Sequence, residues 1–203
     1  MIVIGLTGGI GTGKSTVTMT LEELGSHVVY ADRLGHEAYR PGTEVWKQVV
    51  EAFGEDVLQA DSEVDRRKLG AIVFGDPQAL QRLNQIVHPW MYHEMQRRLE
   101  ELRRQGVKVV VLEAAILIEA SWTSLTDQVW VTTAPVDVVV ERLRGRNGLS
   151  REQVLTRVQS QMSSEERIKH ADVVVDTDCP MAEVPKRVAA LWQEHVAPSI
   201  KAN

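Results

Sequence analysis

The stretch IVIGLTGGIGTGKSTV, residues 2–17, constrains the fold more than any other part of the chain. A short apolar run, Ile2 to Leu6, leads straight into a glycine-rich loop. Val17, Leu21 and Leu24 follow on one face of a predicted helix, with Gly25 as its stop. Gly8 to Ser15 matches G-x-x-x-x-G-K-[ST] in full. Strand, loop and helix in that order make an anion-binding turn. Glycines permit positive φ, the loop amides converge on a phosphate, and the helix N-terminus adds positive potential. Lys14 can then reach the β- and γ-phosphates of a nucleotide, and the Ser15 hydroxyl can ligate Mg²⁺.

A strand that opens such a loop belongs in a parallel sheet, and the chain supplies four more apolar runs. They lie at 27–31, 107–112, 129–133 and 172–175. Their continuity predicts strands covered on both faces, joined by helices in a five-stranded α/β sheet. Two stretches exceed what simple crossovers need. Residues 33–105 predict several helices, at 43–53, 65–74, 76–87 and 89–105, with Asp76-Pro77 as an N-cap followed by proline. Residues 142–170 carry two predicted capping boxes, Ser150 with Gln153 and Ser163 with Glu166. The 203 residues suffice for one sizeable core. The prediction is one P-loop domain over 1–203, with a helical insertion at 33–105 and a lid region at 142–170.

Ligands of open α/β sheets bind at the carboxyl ends of strands, where two acids stand. Asp32 follows the second run and Glu113 the third. Asp32 can orient or deprotonate an acceptor hydroxyl, bind Mg²⁺ through water, or simply cap the next helix. Glu113 stands where an acid holding the metal's water shell is expected, or it solvates a strand end.

Charge is distributed unevenly. The chain is −5 overall, which argues against wholesale nucleic-acid binding, yet 142–170 holds seven basic residues against three acidic ones. Arginine-rich sequence beside a P-loop suits phosphoryl transfer, where charge spreads over the equatorial oxygens. The run Arg97-Arg98 and Arg103-Arg104 is interleaved with Glu94, Glu100 and Glu101 and reads as a solvated helix face, with Glu100–Arg104 at i,i+4 spacing. His88, before Pro89, reads as a capping or packing residue at a helix junction. The lone Cys179 excludes a disulfide within the chain and fits a reducing compartment. No apolar run approaches ~20 residues, and the opening residues lack a signal peptide's pattern, so no membrane is expected and the expected setting is the cytoplasm.

Over nearly its whole length the chain resembles the dephospho-CoA kinases. The segments that carry the resemblance are GLTGGIGTGKSTV, VVYADRLGHEAY, DRRKLGAIVF, LNQIVHP, VVVLEAAILIEA and the long RLRGRNGLSREQVLTRVQSQMSSEERIKHADVVVDT. The ordered set D-R-x-x-L, L-N-x-I-x-H-P, R-x-G-L-S and R-x-x-x-Q is far more specific than the P-loop alone. The resemblance implies transfer of the ATP γ-phosphate to the 3′-hydroxyl of dephospho-CoA, with a core, a helical acceptor-binding part and a mobile lid. It places ATP on Gly8, Gly9, Gly11, Thr12, Gly13, Lys14, Ser15 and Thr16, and Mg²⁺ at Ser15 and Glu113. Asp32 would face the ribose hydroxyl, Arg142 and Arg146 would be lid arginines acting with Lys14, and Arg66, His88, Arg157 and Gln161 would bind the acceptor. No obligate protein partner is evident. The family's usual P-L-L-F-E is Ala115-Ile116-Leu117-Ile118-Glu119 here, a usual Asn is Thr177, and an Arg after H-P is Tyr92. From the residues alone, another small-metabolite or nucleoside monophosphate kinase, or a nucleotide-switched regulatory protein, remains open.

Overall fold

The computed structural model describes residues 1–201. The chain forms two compact units, one of Met1–Val29 with the chain from Glu100 onward, the other of Tyr30–Leu99. Strands β1 (Ile2–Gly8), β2 (His27–Tyr30), β3 (Val109–Glu113), β4 (Gln128–Thr133) and β5 (Val173–Asp176) form one sheet in the order β2-β3-β1-β4-β5. The helices are α1 (Lys14–Glu23), α2 (Ala31–Ala38), α3 (Glu44–Phe53), α4 (Arg66–Val73), α5 (Pro77–Arg104), α6 (Val136–Asn147), α7 (Arg151–Gln159), α8 (Ser164–Ile168), α9 (Val184–His195) and α10 (Ala197–Lys201). Among the described residues no helix is long and apolar enough to cross a membrane.

In the first unit β1 pairs in parallel with β3 and β4, and β4 with β5. Leu6 stands opposite both Glu113 and Trp130, and Gly8 opposite Thr132, so the carboxyl ends of these strands share one edge. The central strands are buried almost throughout, as parallel strands covered on both faces must be. Strand β5 instead alternates buried and exposed residues, because it lies at the sheet's edge. One core joins Ile4, Leu6 and Trp130 of the sheet to Val17 and Leu21 of α1 and to Val188 and Trp192 of α9. Trp130 is fully buried, and its indole N–H donates to Gln128 Oε1 at 3.1 Å, the partner a buried indole requires. A smaller cluster packs Val139, Val140 and Leu143 of α6 and Val154 of α7 against Ile10 at the tip of the loop.

The second unit is helical. Thr43 caps α3, Asp65 caps α4 through the Arg67 and Lys68 amides, and Asp76 accepts from Gln78 N at 2.8 Å, all at predicted starts. The break predicted at His88-Pro89 does not occur, and α5 runs through it as one helix of 28 residues. Pro89 forfeits one backbone bond, at about 3 kcal/mol for an interior proline. Leu83, Val87, Met91, Met95 and Leu99 nevertheless continue a buried four-residue spacing on both sides of it. Each such side chain is worth about 1.5–3 kcal/mol when fully buried, so the continuous face outweighs the lost rung.

Smaller differences have local causes. Strand β2 ends at Tyr30 and α2 begins at Ala31, so Asp32 lies in the first helical turn and makes no capping bond. Ser150 and Gln153 form the full capping box, whereas Ser163 accepts from Glu166 N without the reciprocal bond, because the Glu166 carboxylate pairs with Lys169. Arg104 donates to the Glu100 carbonyl at 3.4 Å rather than to its carboxylate.

Candidate active site

The loop between β1 and α1 owes its shape to glycines used for different reasons. Gly11 and Gly13 have φ of 75° and 84°, the left-handed region closed to most side chains. Gly8 is not strained in this way. A side chain there would collide with Thr132 Oγ1 on the neighbouring strand. Thr12, predicted among the phosphate binders, is 3% exposed and turned inward. Its hydroxyl donates to Gly9 O at 2.8 Å and lies 2.7 Å from Thr132 Oγ1, which braces the loop from beneath.

The loop opens onto a concavity of about 500 Å³. Gly8, Gly9, Gly11, Gly13, Lys14, Ser15 and Thr16 line it, with Arg142, Arg146 and Gln161 from the basic segment. Lys14 forms an ion pair with Glu113 at the end of β3, and both side chains are largely buried. This keeps the cation at the mouth of the loop. The Ser15 hydroxyl and the Glu113 carboxylate are hard oxygen donors on a sparse protein set. Such a set fits Mg²⁺, which keeps several waters and takes further ligands from substrate phosphates.

The basic segment separates into braces and exposed charges. Arg142 lines the concavity, and its guanidinium ties the loop to the chain after β5. Nη1 donates to Thr177 Oγ1 at 3.0 Å and to Gly11 O at 3.4 Å, and Nη2 donates to Thr177 O at 2.6 Å and Cys179 O at 3.3 Å. Thr177 is fully buried, and its hydroxyl lies 2.9 Å from Thr12 O. Arg146 is exposed, with Nε on Asn147 Oδ1 at 3.0 Å. Arg157 is exposed and lines neither this concavity nor the one in the second unit.

Arg167 is the residue that sequence reasoning passed over. It is 2% exposed on α8. It donates to Glu119 Oε1 at 2.5 Å, and to Thr7 Oγ1 and Ala115 O at 3.2 Å each. It thus fastens the end of the basic segment to the carboxyl end of β1 and to the residues after Glu113. In sequence it is one arginine among seven basic residues. The only pointer to it was Glu119, retained where the neighbouring Ala115–Ile118 departs from the usual pattern.

The second unit holds a concavity of about 340 Å³. The structure brings Asp32, Arg66 and His88 together there, with Asn84 among the polar groups and Val87 and Met91 among the apolar ones. Asp32 is exposed. Arg66 Nη1 lies 2.6 Å from His36 Nε2, and a guanidinium can only donate. Burial pushes the His88 imidazole below its ordinary range, favouring a neutral ring. Burial also raises the Tyr39 phenol, partly opposed by the Arg66 charge. The predicted break that made His88 a junction residue is absent. It sits mid-helix, one turn beyond Asn84 on α5.

Comparison with known proteins finds matches over nearly the whole length. The family model described as dephospho-CoA kinase matches residues 2–183. The dephospho-CoA kinase of Geobacter sulfurreducens is 44% identical over 192 residues, covering 95% of this chain and 98% of that one. That of Dehalococcoides mccartyi is 40% identical over 196 residues, 97% and 98% of the two chains. A crystal structure of a Thermus thermophilus protein superposes with a TM-score of 0.79 at 33% identity, covering 97% of this chain and 98% of its own.

Proposed function

The chain belongs to the dephospho-CoA kinase family, and on that premise we propose that it transfers the γ-phosphoryl group of ATP to the ribose 3′-hydroxyl of dephospho-CoA. The products are CoA and ADP, and the reaction is the last step of coenzyme A synthesis. The observation that carries this reading is a complete P-loop, with Lys14 and two arginines around one concavity, in a chain that matches the family from residue 2 to 183.

The acceptor oxygen attacks the γ-phosphorus, the bond to the β–γ bridging oxygen breaks, and the hydroxyl proton must leave. Lys14 meets charge on the β- and γ-phosphates, and the loop amides and the N-terminus of α1 hold the rest of the polyphosphate. Bound Mg²⁺ would neutralise phosphate charge, with Ser15 as a direct ligand and Glu113 acting through water. Arg142 keeps the loop in shape through its carbonyl contacts, and Arg146 meets charge that develops during transfer. In the second unit Asp32 orients the acceptor hydroxyl or takes its proton, and Arg66 and His88 hold the acceptor. Residues 33–105 then act as the acceptor-binding part and 142–170 as the lid. A cytoplasmic setting goes with the lone cysteine.

The test is ATP consumption across a panel of acceptors. Turnover with dephospho-CoA and not with nucleoside monophosphates is the expected result. Turnover only with a nucleoside monophosphate, or none that depends on an acceptor, would overturn the assignment.

A further inference from the structure

The carboxamide of Gln161, between α7 and α8, meets the phosphate loop through a single bond. Its Oε1 accepts from Ile10 N at 2.9 Å. That bond fixes which way the amide faces, since only the oxygen can accept. The Nε2 group, with two N–H donors, has no partner among the described residues, while the residue lines the concavity that the loop opens onto. Gly9 lies beside it, at ordinary contact distance. A side chain there would come within 3.6 Å of Gln161 Oε1.

The Ile10 bond is not what shapes the loop. Thr12 ties it to Gly9 O through both N, at 3.3 Å, and Oγ1, at 2.8 Å, Arg142 holds Gly11 O, and Ile10 packs on the cluster of α6 and α7. The contact's effect falls on the glutamine. It holds the oxygen of an exposed carboxamide and leaves a neutral pair of donors beside the concavity that Lys14 and the arginines also line.

Resting on the kinase reading above, we infer that Gln161 is a catalytic residue whose Nε2 donates to the phosphoryl group in transfer, with the Ile10 amide setting its orientation. A fixed neutral donor is suited to charge that grows on the equatorial oxygens, because it needs no reorganisation when the charge appears. The role is distinct from binding the acceptor.

Two variants separate the donor from a prop for the loop. Gln161→Met keeps length and removes both functions, and Gln161→Glu keeps the acceptor for Ile10 but has no donor. The readouts are kcat at saturating ATP with dephospho-CoA, ADP affinity, and ATP hydrolysis without acceptor. The expected result is a loss of about tenfold or more in kcat for both, the scale of one lost transition-state donor, with ADP affinity of Gln161→Met within about threefold of the parent. A Gln161→Glu kcat within twofold of the parent would overturn the inference. So would a Gln161→Met protein that loses ADP affinity as much as kcat, which is the behaviour of a prop. Acceptor-free hydrolysis gives the same comparison whatever the acceptor, so a parent inactive on dephospho-CoA would sink the assigned reaction without deciding the role of Gln161.

Discussion

Lys14 and Glu113 form one ion pair, so the proposed chemistry of the lysine and the stability of the pair can be tested together. The lysine is held at the mouth of the loop by a carboxylate on the next strand, and both are mostly out of solvent. Lys14→Ala should abolish measurable transfer, since the cation meets charge on the γ-phosphate, a contribution of several kcal/mol. It should also cost roughly 1–3 kcal/mol of stability, because Glu113 is left as a largely buried carboxylate without that partner. Adding Glu113→Gln should recover much of that stability and none of the activity. Denaturant unfolding beside a kinase assay checks this, and a folded Lys14→Ala protein with near-parental turnover would remove Lys14 from the mechanism. Sequence reveals the lysine because its spacing from the glycines is fixed by local geometry. It does not reveal that Thr12 turns inward, that Gly8 is needed for Thr132 rather than for its backbone, or that Arg142 binds carbonyls. The first two depend on Thr132, more than a hundred positions away, and Arg142 reaches Thr177 O 35 positions ahead and Gly11 O 131 positions back.

At the scale of elements, local signals set where helices begin and long-range packing sets where they end. Thr43, Asp65, Asp76, Ser150 and Ser163 each mark a start that the structure keeps, because a cap acts within three residues. Helix α5 ignores its proline because an apolar face at four-residue spacing continues beyond it; the spacing stands in the sequence, but the burial of that face does not. The polar side of that helix carries its own brace. Glu94 accepts from both Arg97 and Arg98, and Arg98 also reaches Glu37 on α2 at 2.6 Å. The Arg97 hydrogen bond, with that of Arg98 and both charges, outweighs burial and holds the Glu94 carboxyl down to about 2. A depressed folded pKa means stability that is present above the unfolded value and is lost as pH falls toward the folded one. The brace therefore acts above about pH 4.5 and fades between there and about pH 2. Glu94→Gln should lower stability at neutral pH by roughly 1–2 kcal/mol, discounted for the exposure of Arg97, and flatten the acid limb over that window. Unfolding curves from pH 7 to 2.5 measure it, and parallel limbs for parent and variant would mean the pair contributes nothing.

For the molecule as a whole, the division into two units predicts a division of kinetic effects. The nucleotide residues belong to the unit of Met1–Val29 and the chain from Glu100 onward, while Asp32, Arg66 and His88 line a concavity within Tyr30–Leu99. The sequence already sets 33–105 apart as a helical insertion, but chain order does not suggest that Asp32 goes with it, since Asp32 follows the loop by fewer than twenty residues while Arg142 and Gln161 follow it by more than a hundred. Asp32→Asn is the cleanest probe. The side chain is exposed, makes no capping bond, and sits in the first turn of α2, where a carboxylate is worth about 0.3–1 kcal/mol to the helix. Removing the charge while keeping the shape should therefore change stability little. If the carboxylate orients the acceptor hydroxyl or takes its proton, kcat with dephospho-CoA should fall by roughly 10²-fold or more. ATP affinity should hold, because every residue that lines the loop concavity belongs to the other unit. Transfer rates and separately measured nucleotide affinity, on proteins shown to be folded, decide the matter. Equal kcat in parent and variant would leave Asp32 as a surface charge at a helix start, and the acceptor-activating group would have to be sought elsewhere.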